Sequence, residues 1–187
     1  MSLGQLTSVV WAASGRTCAG HRTCPSAHAR YPLTVTVIAG NIHGVSAGAY
    51  DYHPDRHLLL LVVGGDHRVA VACTTLADRG WLGSAAALLL LSADRDAANE
   101  PFADQPGPGR GQRYVWLEAG HTGQNVYLRA SEAGLGAVLV AGFDDDRLLD
   151  LTPAIVPSRH QPLALLWVAH PADPRGTPFS LLKVRHI

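Results

Sequence analysis

Charge is sparse in this chain. Only 16% of its 187 residues are Asp, Glu, Lys or Arg, and 15 acidic side chains balance 15 basic ones. A net charge of zero offers no electrostatic footprint for nucleic acid or an anionic membrane, so neither is expected as a partner. Cysteine is scarce as well. Three in a chain of this length do not make a disulfide framework, which points to a reducing cytoplasm. Long apolar runs are missing too: stretches such as Ala85 to Leu91 fall far short of the ~20 residues that span a bilayer. No segment joins a basic start, an apolar run and a cleavage site. Neither a Gly-x-Ser-x-Gly elbow nor a P-loop is present, which removes the usual signs of nucleophilic hydrolysis and nucleotide hydrolysis. The length suits one domain over residues 1–187, large enough for a core without covalent staples.

What is present is organised around Arg113 to Asp144. Val115, Ala119, Val126 and Ala130 recur near helical spacing, Leu117, Leu128 and Leu135 add apolar bulk, and no proline interrupts. The pattern predicts a long, largely buried helix. Gly134 and Gly136 stop it, and Ala137 to Val140 reads as a short covered strand. At the exit, Val140-Ala141-Gly142-Phe143-Asp144, small residues let backbone approach a flat ligand before a second helix starts near Asp144.

Ahead of this lie a helix over Leu3 to Ala13, a polar loop to Pro32, a β-branched strand over Leu33 to Ala39, and a hairpin of Gly48 to His53 with His57 to Val63. Asp66 to Ala77 reads as a helix and Ser84 to Ser92 as a buried strand. Residues 94–111 read as a variable linker suited to substrate contacts. Pro162 to Ala169 is another buried strand, and Phe179 to Ile187 alternates like an edge strand.

Two sets of residues carry a resemblance. The first is Glu118-Ala119-Gly120-His121, Gln124-Asn125, Tyr127-Leu128 and Ala130, followed by Gly134 to Gly136 and Gly142 to Asp145. The second is Val10 to Gly15, Arg22-Thr23, Pro25-Ser26-Ala27, Tyr31-Pro32, Gly48 to Tyr52 and Pro54. Together they resemble the nitroreductase-like flavoprotein superfamily, most closely its azoline dehydrogenase branch of the streptolysin S type, over roughly Leu6 to Pro171. The resemblance implies an α+β fold, with a central, mostly antiparallel sheet flanked by helices. It also implies a homodimer formed along the long helix. The small residues Ala119, Gly120 and Gly123 are compatible with that, and the tail over residues 172–187 would wrap the other subunit.

The same resemblance implies flavin mononucleotide (FMN) as cofactor, lying between subunits. Pro25, Ser26 and Ala27 would lie along the ring, and Ala141 and Gly142 would offer backbone N–H groups to its N5 and O4 edge. Relatives usually hold the phosphate with an Arg-Arg-Ser arm upstream of the first helix. None stands here, and natural residues upstream of Met-Ser-Leu are one expectation. Arg22 and Arg175, with Lys183 or Arg185, are the remaining candidates. The branch also often carries a Lys-Tyr pair before the long helix, for which this chain has Glu100 to Pro106, so no catalytic residue is assigned. Arg113 and Tyr114 are expected to orient the helix.

Three functions follow. One is an FMN-dependent oxidoreductase, acting on a peptide azoline or a small acceptor. The second is a flavin-free dimeric binding or scaffold protein of the same fold. The third is a metal-stabilised module on Cys18, His21, Cys24 and His28, whose spacing offers zinc ligand types, although four ligands within one loop is an uncommon arrangement and ten histidines make chance pairing easy.

Overall fold

A computed structural model describes residues 1–76 and 79–171. The first helix, α1 (Leu3–Ser14), starts on a reciprocal cap in which Ser2 Oγ accepts the Gln5 N–H while the Gln5 side chain accepts the Ser2 N–H. Six strands follow among the helices: β1 (Thr34–Ala39), β2 (Gly48–His53), β3 (Leu58–Gly64), β4 (Ala87–Ala93), β5 (Gly136–Val140) and β6 (Gln161–Ala169). They form one sheet in the order β3-β2-β1-β4-β6-β5, with every neighbouring pair antiparallel. The fold is α+β, an antiparallel sheet flanked by helices.

Both faces of the sheet are covered at its central strands, which explains why β4 is an unbroken apolar run. Leu89 and Leu91 point to one core with Val35, Val37 and Leu166, whereas Leu88 and Leu90 point to a second with Ile38 and Leu165. The first core is closed by α1 and by the long helix α4 (Arg110–Glu132). The second is closed by α2 (Arg68–Ala72), α3 (Arg79–Leu82) and α5 (Asp145–Leu151). The expected Asp66 to Ala77 helix is therefore only α2, because Thr74 and Thr75 turn their hydroxyls back onto the Val71 and Ala72 carbonyls.

The long helix is half buried rather than largely buried. Val115, Ala119, Val126 and Ala130 face inward, but Trp116, Leu117 and Leu128 are exposed. Ala119 and Gly123 also belong to the inner face, and a Cβ on Gly123 would press on Leu139. Only Gly120 of the three small residues looks outward into open space. Gly134 ends α4 at φ +68°, with the Leu135 N–H returning to the Ala130 carbonyl.

Residues 94–111 are not a featureless linker. Ala97–Phe102 forms a 3-10 arch, and Phe102 is buried edge-on against Tyr114 (4.9 Å between ring centres) and His28 (5.3 Å). At the opposite side, β3 is a sheet edge with Leu60 and Leu61 exposed. Among the described residues no helix is long and apolar enough to cross a membrane. The tail strand expected over Phe179 to Ile187 lies outside the described residues.

Candidate functional site

The strand register brings several chain segments to one end of the sheet. There β1 and β6 begin, β2, β4 and β5 end, and the loop from Gly15 to Pro32 folds over α4. Three residues of that loop, His28, Ala29 and Tyr31, sit in the left-handed region at φ +52°, +53° and +51°, which non-glycine residues seldom adopt. Local bonds hold them. Ser26 Oγ accepts the Tyr31 N–H at 2.8 Å, and the Ser26 carbonyl accepts the Ala29 N–H. From α4, the Asn125 amide donates to the Thr23 carbonyl at 3.1 Å.

Between this loop, the Ala97–Phe102 arch and the start of α4 lies a cavity of about 250 Å³. Ser26, Ala27 and Pro32 form one wall, Ala97, Ala98 and Phe102 the other, and Glu118 and Tyr114 line it from α4. Gly111 is what lets the arch close, because its Cα lies against the backbone of Ala98 and Asn99 with no room for a Cβ.

Glu118 is only 3% exposed. Burial pushes its carboxyl up to about 7, and the Ser26 hydroxyl, which faces it, pulls the other way. Beside it, burial pushes the Cys24 thiol up to about 11; Thr122 opposes that shift and Glu118 adds to it. Across the cavity, the Ala97 N–H holds the Asp94 carboxyl below the usual range. Burial lowers His160, against the opposing charges of Asp94 and Asp51.

The expected site residues do not all meet. Ser26 and Ala27 line the cavity, and Pro25 is exposed beside them. Ala141 and Gly142 do not line it; they are exposed at the exit of β5, where the Gly142 carbonyl accepts the Leu76 N–H at 2.9 Å. Gly142 has no positive φ, and among the described residues a Cβ there would meet nothing nearer than Leu76 Cδ1 at 4.0 Å. Arg22 stands apart from the cavity, 3.4 Å from Asp55 and 5.7 Å over the Tyr31 ring, with Nη1 buried and unbonded. Arg16 reaches the other oxygen of the same Asp55 carboxylate at 3.4 Å, so the two guanidiniums share one acid and the cluster keeps a net positive charge. Arg175, Lys183 and Arg185 lie outside the described residues.

The four zinc candidates do not converge. Cys18 is exposed, Cys24 is buried beside Thr122, His21 lies 3.5 Å from the Tyr31 hydroxyl and His28 packs on Phe102. Among the described residues no three His, Cys, Asp or Glu side chains are grouped to hold a metal ion. Conversely, sequence reasoning passed over Glu118 as a site residue. Its signal is a carboxylate on the inward stripe, three residues after Val115 and four before Thr122.

A family model described as the nitroreductase family matches residues 1–170. The protein "Putative nitroreductase MJ1384" of Methanocaldococcus jannaschii is 34% identical over 154 residues, covering 81% of this chain and 74% of its own. A solved structure from Ralstonia eutropha JMP134 with the same description is 25% identical with a TM-score of 0.72, over 92% of this chain and 75% of the other. A chain of the E. coli microcin synthetase McbBCD complex, bound to truncated pro-MccB17, reaches a TM-score of 0.75 over 92% of this chain and 65% of that one. At 22% identity it is similar in fold alone.

Proposed function

Since this chain belongs to the nitroreductase family of oxidoreductases, we propose that it works with FMN, as a homodimer. When bound, that cofactor supplies the hydride chemistry, and the protein supplies binding, orientation and control of protons. The observation that carries this reading is Gly142. Among the described residues neither its backbone conformation nor its surroundings require glycine, so the missing side chain leaves the β5 exit open to close approach by a flat ligand.

In this reading Pro25, Ser26 and Ala27 flank the ring, and the Ala141 and Gly142 N–H groups serve its heteroatom edge. Within one chain these two sets do not share a cavity, so a flavin held between two copies is the arrangement that unites them. Ser26 and Ala27 of one copy would then face the partner's Ala141 and the partner's Gly142. The outward face of α4, with Trp116, Leu117 and Leu128 exposed, supplies the apolar area for such a pairing. Arg22 being only 18% exposed and stacked over the Tyr31 ring, the phosphate falls to the basic residues Arg175, Lys183 and Arg185 near the chain end. The reaction is oxidation of an azoline ring in a peptide, or reduction of a small acceptor.

The test is direct. Purified protein is mixed with FMN, freed of excess and examined by absorbance from the near ultraviolet to the visible. About one flavin per subunit is expected. A protein that stays folded and colourless would instead support a flavin-free binding or scaffold protein.

A further inference from the structure

The cavity under the arch has a composition of its own. Its walls are mainly apolar, from Ala27, Pro32, Ala97, Ala98, Pro101 and Phe102, and a single deeply buried acid, Glu118, lines it from α4. At about 250 Å³ it is smaller than the ~300–1,000 Å³ of sites for drug-sized ligands, which fits a one- or two-ring molecule or a single peptide ring. Arg30, Asp94 and His160 also line the cavity but none of them is fully buried, so a charged guest beside Glu118 would lose its hydration against the apolar walls, whereas a neutral ring would not. The Ser26 hydroxyl faces the Glu118 carboxyl while its oxygen takes the Tyr31 N–H, so the strained loop and the acid are joined in one unit.

We propose that this cavity binds a small neutral aromatic or heteroaromatic ring bearing a hydrogen-bond acceptor, and that the Glu118 carboxyl meets that acceptor. As the substrate site it rests on the oxidoreductase reading; as a binding site it stands on the cavity alone. Only the protonated carboxyl has a hydrogen to donate. The titratable and charged groups around it are Cys24 and Arg30 from the loop, Asp94 after β4, Tyr114 one turn earlier on α4, and His160 before β6. Cys24 keeps its proton to about 11, Asp94 is held ionised and His160 is lowered, so between pH 6 and 8.5 Glu118, near 7, is the group among these with a shift into that range.

The experiment is titration of flavin-free protein with quinoline, followed by calorimetry or by chemical shifts of the cavity residues. N-methylquinolinium, of similar shape but cationic and without the acceptor lone pair, is the control. Quinoline is expected to bind about 10-fold more tightly at pH 6 than at pH 8.5, the full worth of a hydrogen bond that is then lost. Glu118→Gln keeps a donor and should abolish that pH dependence while retaining binding. Glu118→Leu should cost about 3- to 10-fold at pH 6, and Ala97→Phe, which fills the cavity, should remove binding. N-methylquinolinium binding as tightly as quinoline would overturn the proposal. So would quinoline binding untouched by Glu118→Leu and Ala97→Phe in variants whose folded spectra match the parent. Flavin uptake is scored separately by absorbance, so either reading can fail while the other stands.

Discussion

The backbone of Ala98 lies directly on Gly111, so close that no side chain can stand between the arch and the first turn of α4. Gly111→Ala therefore forces backbone against backbone. Overpacking of this kind costs about 1–3 kcal/mol, and here the loss falls on the arch. Urea unfolding should show the destabilisation, and limited proteolysis should find new cleavage between residues 97 and 108 while the sheet stays protected.

Glu118 makes stability depend on pH. Its folded value of about 7 lies above the ordinary 4.5, so the folded state keeps a proton that the unfolded chain releases. The contribution is whole below pH 4.5 and is lost as pH rises through 7, an effect of roughly 3 kcal/mol. Glu118→Gln should remove this slope and leave the variant the more stable form at pH 8. Denaturation midpoints from pH 5 to pH 8 for both proteins measure it. Parallel curves would show that Glu118 does not titrate in this window.

Asn125 ties α4 to the loop through a single bond to the Thr23 carbonyl. Asn125→Ala leaves that carbonyl without its donor, a loss of about 1 kcal/mol by the usual worth of such a bond. Because Thr23 precedes Pro25-Ser26-Ala27, the same variant should weaken flavin uptake by more than its stability loss explains. Equilibrium dialysis with FMN, beside thermal melts, separates the two effects.

Gly142→Val and Arg22→Ala divide the flavin reading. A Cβ at position 142 would meet nothing nearer than the end of Leu76 among the described residues, so Gly142→Val should change melting little while flavin binding falls at least 10-fold. Loss of Arg22 breaks a contact with the 61%-exposed Asp55, worth no more than about 1 kcal/mol, and should leave flavin binding intact. Absorbance titration of the two variants reads both outcomes, and the reverse pattern would return Arg22 to the phosphate.

Much of the scaffold was legible because its signals are local. The inward stripe of α4, the glycine stop at Gly134 and the double-faced run Leu88 to Leu91 each follow from periodicity or backbone freedom, and each stands where it was read. The site was less legible because its parts join over long distances. The Ala97–Phe102 arch owes its shape to Tyr114, His28 and the bare Gly111, none of which a local pattern connects. Arg22 looked solitary, but the hairpin turn brings Asp55 to it from 33 residues away and to Arg16 as well. The cysteine and histidine loop had the right spacing for a metal but spends its side chains on separate neighbours.

β3 carries a practical consequence. Among the described residues Leu60 and Leu61 stand half-exposed on a strand whose pairing ends with β2, and a bare greasy edge of this sort invites a neighbour's strand at high concentration. Handling the protein at crystallographic or spectroscopic concentrations will therefore be governed less by its balanced surface charge than by this one margin. A lysine at position 61 is the simplest means of keeping it in solution.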